Sequence, residues 1–214
     1  MKRYQFRPIL LISNSSWYIN HYRQELINSL LACGEKIIVV APIDKTSIFL
    51  SKKLIHIPWS INRRKNYNPI ALLISFVKLL LIVRALKPKL IHSHTMGPNL
   101  LSSIIASLYG TPILLSFAGG KLFKSTGLKK IIHNMIFSVI VHVSKITRIK
   151  KITWTCSPER SKFIFQNKQD LYDFKLKYVS LKNTNLNLIA GSGVPNKYFD
   201  FNKIKHKWLS QKEN

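Results

Sequence analysis

Acid is what this sequence has least of. Eight Asp and Glu stand against 34 Lys and Arg, a formal charge of +26 on 214 residues. So one-sided a surface attracts anions: nucleic acid, anionic lipid, diphosphate groups. The chain is also rich in Lys, Ile and Asn together, a mix that AT-rich coding alone produces, so charge by itself selects no partner. Cysteine is scarce as well. Cys33 and Cys156 lie far apart in unlike surroundings, which excludes a disulfide framework and a cysteine metal site and suits a reducing compartment. Zinc-ligand spacing, a helix-turn-helix signature and an aromatic RNA-binding strand are all missing, so nucleic acid is poorly supported as a partner. No Gly-x-Gly-x-x-Gly and no Walker phosphate loop occurs. The basic N-terminus, Met1 to Arg7, leads into an apolar run of only Ile9 to Ile12, too short for a signal peptide.

What is present is a full core. Hydrophobic residues make up 46% and aromatics 11%, which excludes a disordered chain. Strand and helix signals alternate. Apolar runs at 9–12, 36–41, 54–58, 112–117, 162–167 and 187–190 read as strands, the first two of them buried. Residues 18–33 read as one helix, with Tyr22, Leu26, Ile27, Leu30 and Leu31 on a stripe and Gly34 as its cap. Further helices are expected at 70–86, 99–108, 128–151 and 168–178, with a basic loop at 60–68 carrying Arg63, Arg64 and Lys65. Strand–helix–strand alternation predicts an α/β fold: one Rossmann-like domain with a largely parallel sheet of about six or seven strands.

The stretch 88–99 organises the rest. Lys87-Pro88 ends a helix, Leu90 and Ile91 form a strand, and His92, Ser93, His94 and Thr95 stand at its carboxyl end. Gly97-Pro98 is expected to break the chain before the next helix. Ligands of open α/β sheets bind at the carboxyl ends of strands, so this tip is the candidate site; two ordinary loop histidines are the alternative. The helix at 70–86 is apolar nearly all round. Spanning a membrane, lying on its surface and sitting at the centre of the fold are the three readings, and Lys78 and Arg84 make spanning costly. The helix at 128–151 has Lys129, Lys130, Lys145, Arg148, Lys150 and Lys151 near its ends, which suits anionic head groups or simply solvent.

Four pieces in order carry a family resemblance. They are Asn14-Ser15-Ser16-Trp17 with Asn20-His21-Tyr22-Arg23; Lys87 to Thr95 with Pro98-Asn99; Phe163-Ile164-Phe165-Gln166-Asn167 with Asp170; and Gly191-Ser192-Gly193-Val194 with Tyr198-Phe199. Together they resemble the N-terminal domain of family 4 glycosyltransferases, of GT-B architecture, in the branch that builds bacterial surface polysaccharides and lipid-linked oligosaccharides.

The resemblance implies two Rossmann-like domains facing across a cleft, the C-terminal one binding a nucleotide-sugar and the N-terminal one holding the acceptor, without metal or other cofactor. It implies acceptor contacts at Ser15, Ser16, Asn20, His94, Thr95, Gly119, Gly120 and Lys121, with His94 orienting an acceptor hydroxyl or serving as base. Residues 1–199 would be this domain, Gly191, Ser192 and Gly193 the turn before the hinge, and 200–214 a basic tail at the hinge. Ala118 stands near the place where many members carry a His. The paired Glu motif of the donor domain is not found among the eight acidic residues. A separately encoded donor-binding domain is an expected partner if the enzyme is split, with work at the cytoplasmic face of the membrane. The rival reading is a truncated, non-catalytic remnant or binding module with an anion-attracting cleft.

Overall fold

Short β-branched and aliphatic runs, buried on both faces, become strands that pair side by side in one direction. In this computed structural model, residues 7–45, 54–61, 69–117, 126–145, 161–178 and 185–190 are described. The strands are β1 (Ile9–Ile12), β2 (Ile37–Ala41), β3 (Ile55–Pro58), β4 (Leu90–His94), β5 (Ile113–Phe117), β6 (Ser161–Phe165) and β7 (Leu186–Leu188). All six pairings are parallel, and the order across the sheet is β3-β2-β1-β4-β5-β6-β7. The expected Rossmann-like fold is thus present, with a wholly parallel sheet.

The helices are α1 (Ser16–Tyr22), α2 (Gln24–Ala32), α3 (Pro69–Leu86), α4 (Met96–Tyr109), α5 (Gly127–Lys145) and α6 (Lys168–Lys177). Strand alternation sorts the core into two layers. Leu10, Ile12, Ile38, Val40, Ile91, Ile113, Leu115 and Phe117 join residues of α3, α4, α5 and α6 in one cluster. Ile9, Leu11, Ile37, Val39 and Ala41 face the other way and pack on Ile19 of α1 and Ile27 of α2. β4 follows the same alternation, so His92 and His94 share the α1–α2 side with Leu90.

Two expectations are corrected. Residues 18–33 form two helices, because Arg23 leaves helical geometry at φ −127°, ψ 3°. Gly97-Pro98 does not break the chain. α4 begins at Met96, and both residues sit in its first turn, where a missing N–H costs no intrahelical bond. The Asn167 side chain caps α6, accepting from the Asp170 N–H at 2.7 Å, so the Phe-Gln-Asn-x-x-Asp piece is a helix start. Of residues 60–68 and 128–151, positions 62–68 and 146–151 lie outside the described residues, as does 200–214.

The sheet's far edge is held by aromatic packing. Phe174 of α6 is fully buried and meets the rings of Phe163, Phe165, Phe137 and Tyr178 at centroid distances of 5.5, 4.9, 5.6 and 4.8 Å. Truncating Phe174 to Ala is expected to cost about 3–5 kcal/mol, read as a shift in the urea midpoint. Exposed Leu176→Ala on the same helix should move stability by less than about 0.5 kcal/mol. A loss under about 1 kcal/mol at Phe174 would show that this cluster does not anchor the edge.

Candidate functional site

The sheet order reverses direction between β1 and β4, and there the connections leave to opposite sides, the place where folds of this kind form a crevice at the strands' carboxyl ends. β1 delivers Ser13 to Ser16 to that crevice, and β4 delivers His92 to Thr95.

The first tip is largely engaged in holding the fold. Ser15 caps α1, its Oγ accepting from the Tyr18 N–H at 3.3 Å. Ser16 is buried and donates its hydroxyl to the Pro42 carbonyl. Asn20 is half-buried on α1. The decisive residue is Arg23, at the elbow between α1 and α2. It is 9% exposed and stands at helical spacing between buried Ile19 and Ile27. A cation at the core phase of an apolar stripe is the signal that sequence reading passes over.

Breaking the helix at Arg23 turns its guanidinium inward. Nε–H donates to His94 Nδ1 over 3.4 Å, one Nη donates to the Tyr22 carbonyl at 2.8 Å, and the other to the Tyr18 hydroxyl at 2.6 Å. The cation also lies 5.1 Å from the Tyr18 ring centroid. Burial pulls the Arg23 pKa down, and the Tyr18 hydroxyl pulls it partly back. Burial pushes Tyr18 up, offset by Arg23 and by the Gln166 side chain at the end of β6.

His94, the last residue of β4, is wholly buried beneath this pair. Burial first, then the neighbouring His92 and Arg23, hold its pKa well below the usual imidazole value. Burial and then Arg23 bring His92 down to about 3. The two rings lie 4.1 Å apart, and His92 Nε2 bonds Ser116 Oγ at 2.8 Å. Because Nδ1 of His94 accepts from Arg23, the proton of this neutral ring sits on Nε2. Nε2 is then a donor, and it has no partner among the described residues. With Nδ1 engaged by Arg23 and the proton on Nε2, the ring has no free lone pair with which to abstract a proton.

The opposite side of the tip is polar too. Buried Ser93 Oγ, Thr95 Oγ1, Asn99 Oδ1 and Ser102 Oγ have no partner among the described residues, although the Asn99 amide donates to the Ser116 carbonyl at 3.0 Å. Native folds seldom leave such groups unpaired unless a ligand or water reaches them. Beside the crevice, at the ends of β1, β2 and β3, a cleft of about 750 Å³ opens. Asn14, Trp59, Ser60, Ile61, Ile74, Ser75 and Lys78 line it. Its wall is fixed by the Trp59 indole, which donates to the Ser75 carbonyl at 2.9 Å, and by Ser75 Oγ, which donates to the Ser60 carbonyl at 2.9 Å. Gly119, Gly120, Lys121, Gly191, Ser192 and Gly193 lie outside the described residues.

Residues 8–155 match the family described as glycosyl transferase 4-like. The chain belongs to that family. No curated protein matches it. Among solved structures, a glycosyltransferase from Rickettsia africae ESF-5 is similar at 16% identity and a TM-score of 0.58, covering 91% of this chain and 45% of that one. A UDP-N-acetylglucosamine 2-epimerase from Rickettsia bellii is similar at 12% identity and 0.58, covering 87% and 45%. A sucrose-phosphate synthase chain from Thermosynechococcus elongatus is similar at 12% identity and 0.56, covering 95% and 99%. The likeness is one of fold, a Rossmann-like half of the GT-B architecture. The chain spans about half the length of the two Rickettsia proteins.

In this glycosyl transferase 4-like domain the crevice stores strain. Thr95 has φ 72°, ψ 160°, a region almost reserved for glycine, and its hydroxyl does not cap α4. Thr95→Gly is expected to raise the unfolding free energy by about 1 kcal/mol in urea titration; a loss of stability would show that the Thr95 side chain, not the backbone, sets that geometry.

The buried histidines also fix a pH dependence. Each is neutral in the fold and takes up a proton when unfolded below pH about 6.5, so stability falls as pH drops towards the folded pKa of about 3 at His92. His92→Gln should flatten the loss between pH 6 and 4.5 by about 1.4 kcal/mol per pH unit. An unchanged slope would mean that the ring charges inside the fold.

Proposed function

We propose that the chain is the acceptor-side half of an enzyme that moves a sugar from a nucleotide-sugar to a saccharide acceptor carried on a lipid or a polysaccharide. The donor is held by a second domain outside these 214 residues, on the same chain or a separate one. One observation supports this above the others: the inward-turned Arg23, bonded to His94 and Tyr18 at the sheet's switch point. The adjoining cleft of about 750 Å³ is within the usual range for a small-ligand site and mixes apolar walls with Asn14, Ser60 and Lys78.

In the transfer, the acceptor oxygen bonds to the anomeric carbon as the bond from that carbon to the diphosphate oxygen breaks. The electron pair leaves with the nucleotide diphosphate, and the proton of the acceptor hydroxyl passes to an oxygen of that departing diphosphate. This half positions the acceptor through Asn14, Arg23 and Thr95. His94 acts through Arg23, holding the guanidinium in place, and is a positioning residue.

Mixing the purified chain with a donor-binding domain tests the reading. Transfer is expected only from the pair, because half the constellation can bind but cannot bring reactants together. In the pair, His94→Ala should lower kcat by about tenfold to a hundredfold while leaving donor KM unchanged. Transfer by the chain alone, or full activity of the His94 variant, would contradict it.

A further inference from the structure

A helix on the surface of a water-soluble domain turns its polar side outward. α3 does the reverse. Ser75, Leu79 and Val83, one turn apart, are the stripe buried against the sheet. Ile70, Leu73, Ile74, Val77 and Leu81, on the outward side, are 66, 60, 51, 43 and 56% exposed. α3 is long and apolar enough to cross a bilayer, yet its inner stripe belongs to the domain core. Withdrawing that stripe to span would open the core, so the helix remains bound to the sheet and presents its outer face sideways.

Charge selects what covers that face. The sequence has no acidic residue between Asp44 and Glu159, while Lys and Arg recur throughout that interval, three of them (Arg63, Arg64, Lys65) just before α3. On the helix itself Lys78 and Arg84 are both exposed. At its C-terminal end a hollow of about 580 Å³ is lined by Arg7, Arg84 and Lys87 with Tyr109 and Thr111. An apolar strip flanked by cations and free of acids repels a second copy of itself and fits acyl chains beneath anionic head groups.

We infer that α3 is an in-plane docking helix for an anionic bilayer, its outer side chains among the acyl chains and Lys78, Arg84 and Lys87 at head-group level. Ile74 and Lys78 also line the cleft beside β1 to β3. Docking therefore brings the cleft mouth to the membrane surface, where an amphiphilic acceptor enters sideways. The docking stands on the exposed face of α3 and does not depend on the sugar-transfer reading.

Flotation of the 214-residue chain with vesicles tests it, using phosphatidylcholine with and without phosphatidylglycerol and neither donor nor acceptor. Binding to anionic vesicles is expected to exceed binding to neutral ones by about tenfold or more and to weaken in high salt. Leu73→Glu with Leu81→Glu, both exposed, should cut it by about tenfold or more while the melting temperature holds. If that pair unfolds, Leu73→Gln with Leu81→Gln is expected to give the same loss of binding from a folded chain. No binding to anionic vesicles, equal binding to neutral ones, or undiminished binding by a folded variant would overturn the inference. So would self-association abolished by the same substitutions without vesicle binding, which would make a second copy the occupant. Because the vesicles carry no sugar substrate, these outcomes are independent of any failure of the transferase reading.

Discussion

The site depends on one expensive placement: a guanidinium set into the domain with no carboxylate beside it among the described residues. Among them Arg23 finds hydrogen-bond acceptors and an aromatic face. No acid among the described residues contributes to its electrostatic surroundings. A buried cation without a counter-ion costs several kcal/mol, and an apolar residue of similar volume often leaves a fold as stable or more so. The local structure bends to accommodate it. The helix breaks at Arg23, Tyr18 covers it, and His94 stays neutral so that Nδ1 accepts from it. The fold bears this cost at the point where its sheet order reverses, which is where ligands of open α/β sheets bind.

The same economy governs β4. Its first residues are aliphatic and pair within the sheet's core, while its last three are Ser and His, buried but polar. Their cost is offset elsewhere, by the aliphatic centre of the sheet and by the Phe cluster beneath α6. The strained Thr95 follows directly, so unpaired polar groups, a lone cation and a disfavoured backbone gather within one crevice. The cleft beside it is lined in part by Ile74 and Lys78 of α3, so it adjoins that helix's apolar outer face.

Much of this is legible in the chain. Apolar runs carry strand identity because a parallel strand covered on both faces has few polar positions; six of the seven strands fall within a residue or two of those runs, and β4 continues three residues past Leu90-Ile91 to His94. The segment Lys87 to Thr95, which carries part of the resemblance, contains β4 and the start of its connection to the following helix. Less legible is how each tip is used. Ser15 and Ser16 look like ligand contacts, but a helix cap and a backbone carbonyl occupy them. Gly97-Pro98 looks like a break because sequence shows the missing N–H but not that it falls in a first turn. The burial of His94 is not readable, since nothing local tells that Arg23 and Tyr18 fold over it. Arg23 itself was readable only by asking which residue shares the phase of Ile19 and Ile27.

The most direct measurement is therefore on Arg23→Met, taken in two readouts from one preparation. Urea unfolding is expected to give a chain as stable as the parent or more so, because a buried unpaired charge is gone. Sugar transfer by the variant assembled with a donor-binding domain is expected to fall by about a hundredfold or more, because the charge that positions the acceptor has gone with it. A variant that loses stability while transferring sugar at the parent's rate would contradict the reading and make Arg23 a piece of scaffolding.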